Sequence, residues 1–579
     1  MTDYRIDRLP FDSQAISFWA QAEQLGSNWP VVYTLSNDKE IYVGESLSAV
    51  SRLNQHLSTT KQKLSRVQII LNKRFNKSVC LDLESQLIKY LAADGKHRVL
   101  NANAGIQDAN YFDRDKYQQS FNELFELMVQ DGLLSKPVSE IVNSNLFKFS
   151  PFKAVTPEQA AAVNGIIERI VGDLKTEGDS QLIVQGDPGT GKTIVAIYLI
   201  KLLRDIARAS EDELLQDESI FSEFFTPELS NLFGSLKIAL VVPQQALRKT
   251  LEVVFSQTPG LNKNMVLTPF EVAENKEDFD LLIVDEAHRL GQRSNQNSAM
   301  QNKKFTALNI ELFGFDDKSK TQLDWIQAKS RHQLLLLDTA QSIRPGDLPL
   351  ATTQAIAEKA QKMDSWFHLA SQMRVMGGSD YLAFVKHIFS EEGSQAKDFS
   401  GYDLRFFDSF SQMRSEILRL DSEHGLSRLL AGYAWEYKTK TQPELYDIEI
   451  EGIKMRWNQT VTDWVSSPTS QLEVGSIHTI QGYDLNYAGV IIGNDIGYDL
   501  ALKKVHLRRD NYFDKKGKEN NPVLGIEYTD EDVLHFVLNI YKVLLTRGIR
   551  GTFVYVCDPA LREFLRGKFT AENSPPEDN

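Results

Sequence analysis

A glycine-rich stretch between an apolar run and a helical pattern has the residue types and spacing that most clearly predict chemistry in this sequence. The apolar run 181–185 is followed by GDPGTGKT at residues 186–193, and helical periodicity begins at Ile194. Glycines let backbone N–H groups turn toward a polyphosphate, Lys192 can reach the β- and γ-phosphates, and the Thr193 hydroxyl can ligate Mg²⁺. A chance glycine turn is the alternative, but the flanking strand and helix patterns supply the context that this motif requires. We therefore predict a nucleoside triphosphate site formed by Gly186, Asp187, Pro188, Gly189, Thr190, Gly191, Lys192 and Thr193.

Polar residues also follow two later apolar runs. Asp285 and Glu286 come directly after the run 281–284, and Gln341 follows the run 334–337. Because ligands bind beyond the carboxyl ends of parallel strands, we expect Asp285 to hold Mg²⁺ through water and Glu286 to polarise the attacking water. Gln341 could then sense the γ-phosphate or its water. An exposed acidic turn is the alternative for the two carboxylates.

Three further residues fit nucleotide hydrolysis less specifically. Gln159 follows Thr156 just before a helical pattern and could read the adenine edge, although capping of the helix by Thr156 explains the same pattern. Arg374 and Arg547 lie in the second half of the chain, and a cationic group from a second domain would stabilise charge on the transferred phosphoryl group. Either arginine in isolation fits a surface ion pair equally well.

A separate set of polar residues near the start of the chain can form a nuclease site. Tyr33 and Tyr42 lie on two predicted adjacent strands, Arg52 and His56 share one face of a predicted helix, and Glu84 lies on a second helix. Glu84 could bind one divalent cation, a tyrosine or His56 could activate water, and Arg52 could contact the scissile phosphate. A hairpin with two core tyrosines is the alternative, but it does not explain the other three residues.

The elements that must position these residues differ between the two parts of the chain. Before Pro151, the pattern predicts a small α/β unit and a helical connector, with strands at 31–35, 41–43 and 67–71 and helices at 48–57, 78–93, 117–128 and 138–147. After Pro151, long helical stretches separate near-continuous apolar runs at 182–185, 238–242, 281–284, 334–337, 404–407, 427–431, 489–492 and 552–557. Such runs are typical of parallel strands covered on both faces, so we predict two doubly wound α/β domains. The acidic segment 204–229 is predicted to form surface helices, and the tail 571–579 to be disordered.

Composition bounds the class of protein. With 579 residues, the chain is too long for one hydrophobic core, and 42% hydrophobic and 25% charged residues are typical of soluble globular proteins. No apolar run approaches the length of a membrane span, and no secretory signal is expected at the start. Two cysteines, Cys80 and Cys557, predict no disulfide framework and favour the cytoplasm. A net charge of −14 excludes a generally basic surface but not a local basic track for nucleic acid.

Taken in chain order, the polar segments after Pro151 resemble the motifs of superfamily 1 DNA/RNA helicases, and most closely those of the Schlafen-like P-loop group. The resemblance covers about residues 152–569. The matches are Gln159 with the Q motif, 186–193 with motif I, 241–245 with motif Ia, Asp285 and Glu286 with motif II, 338–341 with motif III, Arg374 with motif IV, 476–482 with motif V and 544–547 with motif VI. Met373 stands where motif IV usually carries an aromatic residue, and Asp338 replaces the usual Gly-Asp start of motif III. The resemblance implies two RecA-like domains and Mg²⁺-dependent ATP hydrolysis.

The same resemblance implies a nucleic-acid track. Residues that match the single-strand track of such helicases are Pro243, Gln244, Arg248, His478 and Thr479. Contacts from hydroxyls, amides and a few basic groups suit sequence-independent binding of phosphates. The basic segment 503–509, with Lys515, Lys516 and Lys518, could add attraction, and a charged surface loop is the alternative.

The N-terminal set resembles the GIY-YIG nuclease family over about residues 29–106. Residues 31–33 and 42–44 match its two triplets, with Val31 in place of a glycine and Val43 in place of an isoleucine. The resemblance implies an active site of Tyr33, Tyr42, Arg52, His56 and Glu84, with Mg²⁺ or Mn²⁺ at Glu84. The family's asparagine is either Asn101 or Asn103.

Our hypothesis is a cytoplasmic ATPase that acts as a DNA helicase or translocase coupled to an endonuclease. The predicted domains are a nuclease-like domain at 1–106, a helical connector at 107–150, two RecA-like domains at 151–350 and 351–570, and the tail at 571–579. The expected partner is nucleic acid, DNA before RNA, with a homo-oligomer or a defence-system protein as further partners and no membrane. The resemblance also implies a role in bacterial defence against phage. The alternatives are an ATP-gated regulatory switch and a nucleic-acid binding module that neither unwinds nor cleaves.

Overall fold

The computed structural model describes residues 4–23, 28–101, 111–152, 155–209, 220–294, 299–338, 343–391, 398–460, 464–480 and 483–569. Gln341, Asn103, residues 481–482 of the motif V match and the tail 571–579 lie outside the described residues. The chain divides into two compact units. The first comprises Met1–Ala160, Ile194–Leu236 and Leu251–Val266, and the second comprises Ala161–Thr193, Lys237–Thr250 and Leu267–Asn579.

The N-terminal strands form a five-stranded sheet in the order β1-β4-β2-β3-β5, in which only β3 and β5 pair in parallel. The strands are β1 Arg5–Pro10, β2 Val31–Ser36, β3 Glu40–Ser46, β4 Arg66–Leu71 and β5 Arg98–Val99. Alternation along β2 places Tyr33 in a core with Leu53 and Val32 in a second core with Leu83. Because helices therefore cover both faces, the predicted α/β unit is confirmed for these residues.

The helices of this region begin and end at recognisable signals. They are Ser13–Ala22, Ala49–Leu57, Lys77–Asp94, Arg114–Gln130, Val138–Asn143 and Asn145–Lys148. The helix that carries Glu84 is capped by Asn76, whose side chain accepts from Val79 N, and it ends at Gly95 with φ +73°. The single helix predicted over 138–147 is wrong, because Ser144 ends one short helix and its side chain caps the next.

The P-loop region forms a six-stranded sheet in the order β11-β6-β10-β9-β7-β8. Its strands are β6 Ser180–Gly186, β7 Ile238–Val241, β8 Val266–Leu267, β9 Phe279–Val284, β10 Ser330–Leu337 and β11 Trp366–Leu369. The pairs from β11 through β6, β10 and β9 to β7 are parallel, as the continuous apolar runs predicted. Strand β11 lies beyond residue 350, at which we predicted a domain boundary, yet it pairs with β6.

Helices connect these strands. They are Pro157–Lys175, Lys192–Ile206, Pro227–Gly234, Gln245–Gln257, Pro269–Ala273, Ala299–Phe313, Gln322–Ala328 and Leu350–Lys362. Within the acidic segment 204–229, the described part is not wholly a solvated surface, since Phe224 and Leu229 are buried.

The last third of the chain forms a second parallel sheet, in the order β12-β20-β17-β13-β16. Its strands are β12 Asp403–Phe406, β13 Ser427–Ala431, β16 Val474–Ser476, β17 Leu485–Ile492 and β20 Gly548–Val556, and two antiparallel hairpins are formed by β14 Ile448–Ile450 with β15 Ile453–Met455 and by β18 Ile496–Asp499 with β19 Lys504–Leu507. Its helices are Gly378–His387, Phe410–His424, Ile477–Ile480, Asp530–Leu545 and Pro559–Phe569.

Successive residues of this second sheet belong to different cores. Leu430 packs in one core with Ile540, whereas Leu429 packs in the other with Ile417. Helices thus cover both faces, as a doubly wound sheet requires. Among the residues that the structure describes, no helix is long and apolar enough to cross a membrane.

Candidate active sites

The phosphate-binding loop lies between the end of β6 and the helix that starts at Lys192. Gly189 and Gly191 have φ of +89° and +83°, in the left-handed region that favours glycine. A Cβ atom on Gly186 would lie 2.5 Å from Thr190 Oγ1, so this turn also needs glycine. The loop therefore has the tight curl that the sequence predicted.

Lys192 lies folded into this loop and is only 8% exposed. Its Nζ donates to the carbonyl oxygens of Gly186 and Asp187, at 3.2 Å for Asp187, and lies 3.9 Å from Asp338 Oδ2. An ammonium group held by carbonyl oxygens at the centre of a phosphate loop is positioned to move onto phosphate oxygens.

Thr193 and Asp285 meet where the helix begins and β9 has ended. Thr193 Oγ1 donates to Asp285 Oδ2 at 2.9 Å. Burial, with the negative charge of Glu286 adding to it, raises the pKa of Asp285 to about 7. Hydroxyl and carboxylate oxygens are ligands that Mg²⁺ prefers, and a cation beside Asp285 would offset the cost of burying its charge. The two residues therefore fit the predicted magnesium site.

The rest of the coordination shell would come from outside the protein. Within the described ranges, no cluster of three or more His, Cys, Asp or Glu residues could hold a metal ion. Mg²⁺ bound with phosphates keeps several waters and needs only one or two carboxylates, so this donor set is sufficient.

Glu286 has a strained backbone, with φ +50° and ψ +47° in the left-handed region. Strain of this kind is common at functional sites. Its Oε2 lies 3.0 Å from His288 Nε2 and 3.7 Å from Arg289 Nε. Burial alone would raise the pKa of Glu286, but the contact with His288 and the charges of Arg289 and Lys192 lower it below its usual range. Glu286 is therefore a carboxylate, as the polarisation of water requires.

His288 connects Glu286 to the neighbouring strand. Its Nδ1 accepts from the backbone N–H of Asp338 at 3.3 Å, so Nε2 carries the proton that faces Glu286. The histidine thus lies between the carboxylate and Asp338, which begins the motif III match.

Arg374 lies beside the phosphate loop, and Arg547, just before β20, is close enough for its charge to interact with those of Arg374 and Glu286. The Arg374 Cβ packs on Gly189, and its guanidinium forms an ion pair with Asp484. Arg547 is 4% exposed, and burial, with the charge of Arg374 adding to it, lowers its pKa to about 9. No partner among the described residues hydrogen-bonds Arg547 Nε. The alternative of a surface ion pair is therefore excluded for Arg547.

Sequence reasoning missed the roles of Gln372, Asp484 and Arg289. Each is a polar residue within three positions of a described motif residue or next to the motif V match, which was the available signal. Arg289 contacts Glu286, three positions before it, whereas Gln372 contacts Pro188 and Asp484 contacts Arg374, which are far away in the sequence. Spacing alone does not predict such distant contacts.

Gln159 is engaged with the start of its own helix. Its Oε1 accepts from Thr156 N at 3.1 Å, and its own N–H donates to Thr156 Oγ1 at 3.2 Å. This reciprocal pair is a capping box, so the capping alternative is present in the structure. Recognition of adenine by Gln159 stays a prediction.

The predicted nucleic-acid residues differ in what their side chains contact. Pro243, Gln244 and Arg248 are half-buried after β7, and Arg248 Nη1 donates to Val242 O at 3.4 Å. The Thr479 side chain is only 2% exposed and bonds to both N and O of Ser476, so it stabilises its own turn.

His478 is half-buried between two charged groups. The Arg344 guanidinium contacts its ring, and its Nε2 lies 3.2 Å from Asp514 Oδ2. Burial and the charge of Arg344 lower the pKa of His478. A contact of His478 with phosphate stays a prediction.

Most of the predicted basic segment 503–509 forms β19, and the two arginines that follow this strand are ion-paired. Arg508 pairs with Asp558, Arg509 with Asp530 and Lys516 with Glu519. Exposed cations in this segment are Lys503, Lys504 and Lys515. The alternative of a charged surface therefore accounts for the paired residues.

The five residues predicted for the nuclease site lie together in the first unit. Tyr33 OH lies 2.8 Å from His56 Nε2, and the Tyr42 ring centroid is 6.4 Å from that of Tyr33 and 5.3 Å from that of His56. The charge of Arg52 acts on both phenols and on Glu84. A Cβ atom on Gly44 would lie 2.5 Å from Tyr33 OH, so glycine makes room for the buried phenol.

Burial shifts the pKa values of two of these groups, Glu84 and His56. It raises the pKa of Glu84 to about 7, with the nearby Glu45 adding to the effect. A divalent cation bound to the carboxylate would lower this pKa again. Burial and the charges of Lys61 and Arg52 lower the pKa of His56 to about 3, so its ring is neutral and a weak base. The Glu84 carboxylate fits the predicted cation site, and activation of water by His56 stays a prediction.

Asn101 is the described member of the two candidate asparagines. Its Oδ1 accepts from Val43 N at 3.0 Å, and its Nδ2 donates to Val43 O at 2.8 Å. The amide thus holds the strand that carries Tyr42 and Gly44. Asn103 lies outside the described residues, so the choice between them stays open.

Comparison with known proteins gives relatives of several kinds. The uncharacterized protein YPL245W of Saccharomyces cerevisiae is 27% identical over 418 residues, which are 67% of this chain and 84% of that protein. ATP-dependent DNA helicase RecG of Streptococcus pneumoniae is 26% identical over 265 residues, and RecG of Synechocystis is 22% identical over 273 residues. These two matches are 43% and 46% of this chain, and the chain spans only 38% and 30% of the length of the two RecG proteins.

Solved structures of Pif1 helicase from Bacteroides are also similar to this chain. The crystal structure in complex with ADP-AlF3 and ssDNA shares 10% identity with it, covering 72% of this chain and 95% of that one, with a TM-score of 0.24. The structure bound to ssDNA shares 9% identity, covering 69% of this chain and 96% of that one, with a TM-score of 0.23.

A family model covers most of the chain. The Schlafen group 3 DNA/RNA helicase domain matches residues 179–558, from the start of β6 to the last strand of the second parallel sheet. This range contains the phosphate loop, both carboxylates and both arginines described above. Because residues 179–558 are more than half of the 579 residues, the chain belongs to the Schlafen group 3 DNA/RNA helicase domain family.

Proposed function

We propose that this chain is a Mg²⁺-dependent ATPase of the superfamily 1 helicase type that moves along nucleic acid, with DNA as the first substrate to test. The observation that carries the proposal is Arg547, a buried cation beside Arg374 whose Nε has no hydrogen-bond partner among the described residues. Arg547 Nη1 donates to Tyr483 O at 3.4 Å, so Nε is the donor left open, and a phosphate oxygen of ATP would accept from it.

Each residue has a role in this proposal that its contacts support. Lys192 leaves the loop carbonyls for the β- and γ-phosphates, and Thr193 with Asp285 would hold Mg²⁺, which neutralises charge on the phosphates when bound. Glu286, oriented by His288, positions the attacking water. Arg547 stabilises charge that develops on the transferred group.

Nucleic acid as the partner is supported by the family and by its relatives. Two relatives are named DNA helicases. Pro243, Gln244, Arg248, His478 and Thr479 are the proposed track. A cytoplasmic location, a homo-oligomer or protein partner and a role in defence against phage follow from the sequence and the resemblance alone, and they complete the proposal.

ATP turnover measured with and without nucleic acid tests this function. We expect single-stranded DNA or RNA to raise turnover at least about tenfold, equivalent to about 1.4 kcal/mol of activation free energy. Lys192→Ala should abolish turnover under every condition. Turnover of the wild type that no single- or double-stranded DNA or RNA changes would contradict translocation and favour the ATP-gated switch.

We further propose that the first unit is a GIY-YIG-type endonuclease. The observation that favours it is the cluster of Tyr33, Tyr42, Arg52, His56 and Glu84 around one buried phenol–imidazole contact of 2.8 Å. His56 would accept a proton through Tyr33, Glu84 would hold Mg²⁺ or Mn²⁺, and Arg52 would contact the phosphate. A nucleic-acid binding module without cleavage is the alternative.

A further inference from the structure

One glutamine side chain joins the phosphate loop to the segment that carries Arg374. Gln372 Nε2 donates to Pro188 O at 2.7 Å, while its Oε1 accepts from Arg374 N at 2.8 Å. The next residue reinforces the connection, because Met373 N donates to Gly189 O at 3.0 Å. The loop and the Arg374 backbone are therefore held together by a donor and an acceptor of the same amide.

The packing at this point leaves no free space. A Cβ atom on Gly189 would lie 2.2 Å from Gln372 Oε1 and 2.8 Å from Arg374 Cβ. Gly189 thus has two reasons to be glycine, its φ of +89° and the close approach of these side chains. A small displacement of Gln372 would therefore shift both the loop and Arg374.

The two contacts need both the donor and the acceptor of an amide, at the length of a glutamine side chain. Asn has the same groups but is one methylene shorter, and Glu keeps the acceptor while losing the donor. With Glu, an oxygen would face the Pro188 carbonyl oxygen, an acceptor against an acceptor.

From these contacts, and resting on the proposed ATPase function, we propose that Gln372 is a positioning residue that holds Arg374 in register with the phosphate loop. Its amide is used by Pro188 and Arg374, and none of its contacts described above leads to a phosphate or to the attacking water. Gln372 therefore acts through Arg374, and its effect is expected in the transition state, in which the arginine is needed.

Steady-state ATP turnover with single-stranded DNA tests this proposal. Gln372→Ala should lower kcat about tenfold and leave the KM for ATP within about twofold, because a transition-state contact is lost and ground-state binding is not. Gln372→Glu should show the same fall in kcat and the same KM. It also keeps the proposal testable if Gln372→Ala does not fold. Gln354→Ala, an exposed glutamine on the helix Leu350–Lys362, is the matched control and should match the wild type.

Two further measurements separate positioning from a general loss of structure. The affinity for ADP with aluminium fluoride should fall about tenfold in Gln372→Ala, while the affinity for ADP alone stays within about twofold. In an Arg374→Ala background, Gln372→Ala should cost no further activity, because both changes remove the same interaction.

Additive losses in the double variant, or equal weakening of both nucleotide complexes, would overturn the proposal. So would wild-type kcat in both Gln372 variants. A wild type that hydrolyses no ATP would overturn the proposed function together with this inference, whereas an active wild type with unaffected Gln372 variants overturns the inference alone.

Discussion

Arg547 is the side chain whose surroundings most need an added ligand. It is 4% exposed, and burial, with the charge of Arg374 adding to it, lowers its pKa to about 9. The carboxylates within reach, Asp484 and Glu286, already contact Arg374, His288 and Arg289. A triphosphate would balance these charges.

Arg547→Ala should lower kcat for ATP at least about a hundredfold, because cationic groups that stabilise the transferred phosphoryl group contribute that much or more. Nucleotide affinity should change far less, since Lys192 and the loop remain. Steady-state kinetics with a nucleotide-binding titration checks both. Arg550 is an exposed arginine of β20, and Arg550→Ala is the control, which should leave kcat and nucleotide affinity unchanged. Equal turnover in wild type and Arg547→Ala would remove this arginine from the mechanism.

Residues with chemistry of their own could be predicted from the sequence, and residues that act through others could not. Lys192, Asp285 and Glu286 are named by motifs whose spacing reflects their shared ligand. Gln372 was not predicted, because its function depends on Pro188, which is 184 positions away. Thr479 was expected to face nucleic acid, but its hydroxyl bonds within its own turn.

At the scale of elements, a buried carboxyl group between the end of β17 and the helix Asp530–Leu545 makes their contact sensitive to pH. Asp495 follows β17, is fully buried, and accepts from Tyr541 OH at 2.6 Å. Burial raises its pKa to about 7 from an ordinary value of 3.8. A raised folded pKa means that the stabilising contribution is present below 3.8 and is lost as the pH rises toward 7.

We therefore expect the free energy of unfolding to fall more steeply between pH 3.8 and about 7 in the wild type than in Asp495→Asn. The difference in loss over this range should reach about 4 kcal/mol. Asn keeps the size of the side chain and cannot ionise. Denaturant unfolding at several pH values measures both slopes. Parallel slopes would show that Asp495 does not titrate in this range.

Long elements were predictable and short ones were not. The runs 281–284 and 427–431 were predicted as strands because parallel strands buried on both faces are apolar throughout. Strands β5 and β8 have two residues each, which is too few for any periodic pattern. Strand β1, with the sequence RIDRLP, has no buried residue and shows little apolar alternation.

At the scale of the whole molecule, the two candidate sites belong to different compact units. The residues of the proposed nuclease site lie within Met1–Ala160, whereas Lys192, Asp285, Glu286 and Arg547 lie in the second unit. The family match begins at residue 179, so it covers the second site and not the first. The two activities should therefore be separable by mutation.

Glu84→Ala should reduce cleavage of plasmid DNA at least about a hundredfold, because it removes the proposed ligand of the cation that stabilises phosphorane charge. ATP turnover in this variant should equal that of the wild type. Incubation with Mg²⁺ or Mn²⁺, with and without ATP, followed by gel analysis is the measurement, with Glu23→Ala of the same unit as the control. Undiminished cleavage by Glu84→Ala would place the cut elsewhere, and no cleavage by the wild type would favour the binding module.

The central claim is that Glu286 positions water for ATP hydrolysis at the site formed by Lys192, Thr193 and Asp285. Glu286→Gln keeps the shape of the side chain and removes the charge, and Glu311→Gln, on an exposed helical surface, is its control. The measurement that tests the claim most directly is single-turnover ATP hydrolysis beside ATP binding in these two variants. We expect Glu286→Gln to bind ATP within about threefold of the wild type and to hydrolyse it at least about a hundredfold more slowly, because only the step that needs the carboxylate is lost. Hydrolysis by Glu286→Gln at the wild-type rate would contradict the claim.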